Sequence, residues 1–282
     1  MVDAIDASEA QRILESPDLI AIGVRADDVR RAMHGTRTTF VRVYEIHVDA
    51  VPASLPARVS AGEFRIVGRP MSADAAVTAV RAAVTLAGSV PVTGFSLADL
   101  RAVAGAAFPA ACRALREAGL DGLAEVEVDL VDSDSAALIA QARACGLGVT
   151  RLTVHAPVQD RVALAVRARD LQEAVGGFRV FAPLPRSFSP AAPSTGYDDV
   201  KSVAITRLLI TGIESIQVDW ALYGPKLAQF ALTVGADDVD GVAASDPGTL
   251  GARRSPIEEI RGNIRSAGLE PAERNARYEA VE

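Results

Sequence analysis

The chain has 282 residues, 49% of them apolar and 23% charged, with a net charge of −7 at neutral pH. That length can bury a large core, as one barrel or as two smaller domains. The acidic balance excludes general binding to nucleic acid or to anionic membranes, which needs clustered cations; pairs such as Arg30-Arg31 and Arg253-Arg254 read as solvated helix ends.

No apolar run is long enough for a membrane span, and the acidic, amphipathic start MVDAIDASEAQRILES is unlike a secretory signal, so a cytoplasmic protein is expected. Asp6-Ala-Ser-Glu9 has capping-box spacing before a short helix, and a second helix runs from Arg25 to Met33, closed by His34-Gly35. Thr38 to Val48 is β-rich and forms the first strand, Gly62 to Gly68 the second. Helix Ser72–Leu86, a strand near Val90–Phe95 and a helix opened by Ser96-Leu-Ala-Asp99 follow, continued by a helical piece over Ala110–Ala118.

From Leu123 the alternation is regular: strand 123–131, helix 135–145, strand 148–155, helix 160–175, strand 178–184. A Pro/Ser-rich loop leads to helix 198–210, strand 214–220, helix 225–233 and a short strand over 238–242. Ser255-Pro-Ile-Glu258 opens the last helix with proline in its first turn. Eight strand candidates alternating with helices predict a single α/β (βα)8 TIM-type barrel. The predicted layout is N-terminal helices over 1–37, barrel over 38–242 and a C-terminal helical extension over 243–282. The first βα unit reads as truncated, because Asp49 to Ala61, with Pro52 and Pro56, is too short for a normal crossover helix. The barrel is therefore expected to be thin or split there. No Gly-x-Gly-x-x-Gly follows the first strand, which argues against a dinucleotide fold.

Several segments stand out together: Met33-His-Gly-Thr-Arg-Thr-Thr-Phe40, Gly62-Glu-Phe-Arg-Ile-Val-Gly68 and Ala114-Leu-Arg-Glu-Ala-Gly-Leu-Asp121 with Ala124-Glu-Val126. Asp170-Leu-Gln-Glu-Ala-Val-Gly-Gly-Phe-Arg-Val-Phe-Ala-Pro-Leu184 is the strongest, followed by Asp199 to Arg207, Ala228 to Gly241 and the tail Ala267 to Tyr278. Together they resemble radical S-adenosylmethionine enzymes: most of all aminofutalosine synthase, and more distantly cyclic dehypoxanthinyl futalosine synthase and deazaflavin synthase. The resemblance implies a barrel, a three-cysteine loop after the first strand that seats an iron–sulfur cluster, and a Gly-Gly after the second. Here the loop position holds no cysteine, Gly68 is followed by Arg69, and the run near the fourth strand is reduced to Gly122-Leu-Ala-Glu125. No [4Fe–4S] cluster and no S-adenosylmethionine binding are expected.

Cys112 and Cys145 lie in helical surroundings and read as small buried hydrophobes in a reducing compartment. Barrel sites lie at the carboxyl ends of strands, which places Glu45, His47, Arg69, Glu125, His155, Asp219 and the Asp237, Asp238, Asp240 cluster there. His47, His155 and Asp219 are candidate catalytic residues for polar hydrolysis or elimination, on a nucleoside-like or aromatic carboxylate substrate, with acid–base or metal assistance. Glu45, Arg69, Glu125 and Asp238 are candidate ligand contacts. The alternative is that these are rim residues with satisfied hydrogen bonds, and no spacing specific for a metal is present. Three functions follow: a cluster-less partner or scaffold linked to menaquinone formation, a polar enzyme, or a binder of a pathway intermediate. The partner is an intact homologue or a second copy, a small ligand is compatible, and what fills the mouth beside His47 and Arg69 decides among them.

Overall fold

The computed structural model describes residues 5–190, 194–246 and 255–281; Arg253 and Arg254 lie outside them. Two helices, α1 (Ala7–Glu15) and α2 (Leu19–His34), precede the barrel. Asp6 caps α1 by accepting from the Glu9 amide, and Asp18 caps α2 by accepting from Ala21, which starts α2 earlier than apolar periodicity predicts.

Eight parallel strands then close on themselves: β1 (Arg37–His47), β2 (Glu63–Val67), β3 (Val92–Ser96), β4 (Gly122–Glu127), β5 (Arg151–Val154), β6 (Val180–Pro185), β7 (Ser215–Asp219) and β8 (Asp238–Ala243). This is the expected (βα)8 barrel. Its helices are α3 (Ala73–Ala87), α4 (Leu97–Ala104), α5 (Phe108–Glu117), α6 (Ser135–Ala144), α7 (Arg161–Val175), α8 (Gly196–Leu209) and α9 (Trp220–Leu232). Outward residues such as Phe64, Ile66, Val126, Leu152, Val218 and Val239 pack on that helical layer in one apolar core. The predicted fourth strand ends early because Val128–Leu130 turns into a 3-10 helix.

The first crossover has no helix, as expected, but the barrel is not split. Val43 to His47 pair with Glu63 to Val67 in parallel register. The reason is height. β1 is 11 residues long and β2 meets only its second half, so residues 48–62 descend about four residues' rise, roughly 13 Å, which needs no helix.

The lower half of that β1 edge is taken by the C-terminal extension. It holds α10 (Pro256–Ser266), as expected, and also a ninth strand, β9 (Glu270–Glu273), paired with Arg37 to Phe40. Arg42 grips Glu273 at 2.6 Å, and Arg274 enters the barrel floor, its Nε and Nη2 donating to Asp238 at 2.7 and 2.6 Å. Arg274→Met leaves Asp238 buried and short of its cation. Tryptic cleavage at Arg277 is expected to quicken at least tenfold, the factor that about 1.4 kcal/mol of easier opening gives; an unchanged rate would show that β9 is held by other contacts.

Candidate functional site at the barrel mouth

Strands covered by helices on one face and closed into a barrel on the other usually read as continuous apolar runs. Here polar residues, all but one of them charged, recur at every second position facing inward: Glu63 and Arg65 on β2, Glu125 on β4, Arg151 on β5, Gln217 and Asp219 on β7, Asp238 and Asp240 on β8. The lumen is consequently built from ion pairs in layers.

At the floor, Asp238 accepts from Arg274, from Thr39 at 2.5 Å and from Gln217 at 2.6 Å. In the middle, Arg65 makes two bonds to Glu63, at 2.7 and 2.9 Å, and two to Asp240, at 2.9 and 2.8 Å. Arg151 also pairs with Asp240 and donates to the Ala124 carbonyl at 2.9 Å, while Thr93 donates to Glu63 at 2.5 Å. Burial alone pushes Asp240 and Glu63 up, but the guanidiniums outweigh it: Arg65 and Arg151 hold Asp240 well below the usual carboxylate range, and Arg65 holds Glu63 below its own.

At the mouth, Arg186, just past β6, bridges Glu125 at 3.1 Å and Asp219 at 3.3 Å. Arg186 and Glu125 remain about one-fifth open to solvent. Glu125 Oε2 is near Arg186 but too poorly aligned for a hydrogen bond, so this buried oxygen has no donor. Asp219 also caps α9 through the Leu222 amide, and Gly241 passes so close that a Cβ there would sit 2.8 Å from Asp219 Oδ1. Gly241 has a φ of 71°, a conformation that only glycine adopts readily. A side chain at 241 would push the Asp219–Arg186 pair apart.

The sequence-predicted residues fall in different places. Asp219 and Glu125 meet, through Arg186. Asp238 does not reach the mouth: as the first residue of β8, level with Thr39, it stands at the floor, fully buried among Arg274, Thr39 and Gln217. Glu45 and His47 are exposed at the end of β1; the His47 ring lies over Gly68, 2.9 Å from where a Cβ would be, and 3.9 Å from Asp49. Arg69 is exposed, 3.9 Å from Asp99. His155 is exposed, with its backbone held by Asp129 and Ser187. Among the described residues, no hydrogen bond or ion pair joins His47, His155 and Asp219, and no group of three His, Cys, Asp or Glu could hold a metal ion. No helix among them is long and apolar enough to cross a membrane.

Sequence reasoning missed Arg65, Arg151 and Arg186. The available signal was the Glu63-x-Arg65 spacing, with apolar Phe64 and Ile66 on the opposite strand face.

A family model described as the CofH/MqnC C-terminal region matches residues 188–282. The aminodeoxyfutalosine synthase of Streptomyces coelicolor is 35% identical over 144 residues, 43% of this chain and 37% of that protein. The 5-amino-6-(D-ribitylamino)uracil–L-tyrosine 4-hydroxyphenyl transferase of Methanothermobacter thermautotrophicus is 32% identical over 206 residues, 61% of this chain and 56% of that one. The chain thus spans about half the length, or less, of the curated relatives it matches. Among solved structures, methylornithine synthase aligns with a TM-score of 0.65 at 15% identity, covering 96% of this chain and 95% of that one. The hydrogenase maturase HydG of Carboxydothermus hydrogenoformans aligns at 0.61 and 11%, covering 96% and 76%. At such identity these two bear on the fold alone.

Proposed function

We propose that this chain, homologous to the radical S-adenosylmethionine enzymes of the futalosine and deazaflavin routes, works without radical chemistry and binds a pathway intermediate at its barrel mouth. It does so alone or beside an intact relative. The observation that carries the reading is the thiol-free crossover at the end of β1. The group implied by the relationship is a thiolate-bound iron–sulfur cluster, and the residues do not fit it. Residues 48–62 contain no cysteine. Cys112 is buried in α5, where burial pushes its thiol up to about 12, and Cys145 at the end of α6 directs its sulfur to the Pro109 carbonyl at 3.6 Å. Both belong to the outer helices and not to that crossover, and the Cys112 thiol is held neutral by burial whereas iron takes the thiolate.

The mouth supports binding over turnover. Its charged groups are paired with one another, although Glu125 Oε2 accepts no hydrogen bond, and His47 at the rim lies 3.9 Å from Asp49, outside the reach that proton transfer needs. Arg186 faces two carboxylates from separate strands. A carboxylate on a ligand can exchange with either one while the charge balance of the lumen is kept.

Anaerobic reconstitution with iron and sulfide, followed by S-adenosylmethionine and reductant, tests the reading. Colourless protein and no 5′-deoxyadenosine are expected. A brown cluster-bearing protein that releases 5′-deoxyadenosine would overturn it.

A further inference from the structure

Apart from the lumen, the C-terminal rim carries a cavity of about 500 Å³ between α4 and the segment from the Val128–Leu130 turn to α6. Its walls are mostly apolar, with Leu97, Val126, Leu130, Val131 and Leu138, and carry Arg101, Asp134 and Ser135 as well. At its floor, where β4 ends, stands Glu127, whose residue is only 6% exposed. A carboxyl in an apolar wall is costly to ionise unless a cation meets it. None does. Arg101, the cation of the wall, is already held by Asp132 at 2.6 Å and Asp134 at 3.2 Å. The other groups facing Glu127 are the Ser96 hydroxyl, Asp99 and Glu125, the last engaged by Arg186. Burial first, and the neighbouring Glu125 and Asp99 charges after it, push Glu127 up to about 7.

We propose that this cavity binds a small apolar amine, its hydrocarbon body between α4 and α6 and its ammonium on the Glu127 carboxylate. The apolar walls supply the burial and the surplus of carboxylates selects the sign of charge. A ligand carboxylate would meet the same surplus and be rejected. This site is separate from the mouth and does not rest on the reading given for it.

Phenethylamine, which stays protonated throughout, is the probe, titrated calorimetrically into the whole chain at pH 6 and pH 8. Because Glu127 ionises across that interval, binding is expected to tighten roughly tenfold. Glu127→Gln should abolish the pH dependence and weaken binding at pH 8 at least tenfold. Ala102→Trp, at an exposed cavity-lining position on α4, should fill the space and prevent binding while leaving the carboxyl in place. Phenylacetate should not bind. No binding of phenethylamine at pH 8, or equal binding by either variant that circular dichroism shows to be folded, would overturn the proposal.

Discussion

Replacing Arg65 by methionine is expected to remove about 3–5 kcal/mol of stability at neutral pH, the range found when one partner of a buried pair is lost. Arg65 is the cation between two carboxylates that are themselves almost wholly buried, Glu63 and Asp240. Methionine fills most of the volume, so the loss reports charge and not a cavity. Arg151 still reaches Asp240 in the variant, but Glu63 is left with only the Thr93 hydroxyl. Urea unfolding followed through the single tryptophan, Trp220, measures the effect.

The pH dependence separates this from a packing defect. Glu63 and Asp240 have folded values below their unfolded ones. Depressed carboxylates contribute stability that is present above the unfolded range, near pH 4, and is lost as pH falls toward the folded values. In the variant that contribution is absent, and the carboxylates take up protons more readily. Wild type and variant should therefore differ most at neutral pH and converge in acid. A loss below about 1 kcal/mol, the scale of exposed pairs, would mean that water already screens the lumen.

The alternation of strands and helices was legible in the sequence because its signals are local. Ser72 accepts from Ala75, Asp160 from Ala163 and Thr195 from Asp198, each starting a helix where a cap residue precedes an apolar stripe. β9 was not legible: Glu270-Pro-Ala-Glu273 has no β-forming composition, and it is a strand only because the lower β1 edge lacks a neighbour. The closure between β1 and β2 was misjudged for a related reason, since crossover length matters only against the height to be descended. At the mouth, Glu125 and Asp219 could be placed from strand ends, but their bridge could not. Arg186 lies beyond β6, in a loop whose direction is set by contacts such as Tyr223 donating to the Pro185 carbonyl at 2.6 Å. Asp238 was assigned to the rim because a short strand gives no cue to which of its ends an inward residue occupies.

Glu127→Gln is expected to make the protein more stable at pH 8, by about 3 kcal/mol, and to leave it nearly unchanged at pH 5. Glu127 is pushed from an ordinary 4.5 up to about 7, chiefly by burial. A carboxyl with a raised folded value holds its proton in the native state after the unfolded chain has lost it. Between those two values the native state binds more protons, so stability falls as pH rises through that window and stays reduced above it. Two to three pH units at 1.36 kcal/mol each give the stated magnitude. Glutamine keeps a polar partner for Ser96 and has no charge to desolvate. Every other titratable group is common to both proteins, so the difference between the two pH profiles isolates Glu127. Parallel profiles from pH 5 to pH 8 would show that water or a neighbouring cation already meets the carboxylate in the cavity. In that case the wall between α4 and α6 is wetter than its leucines and valines imply.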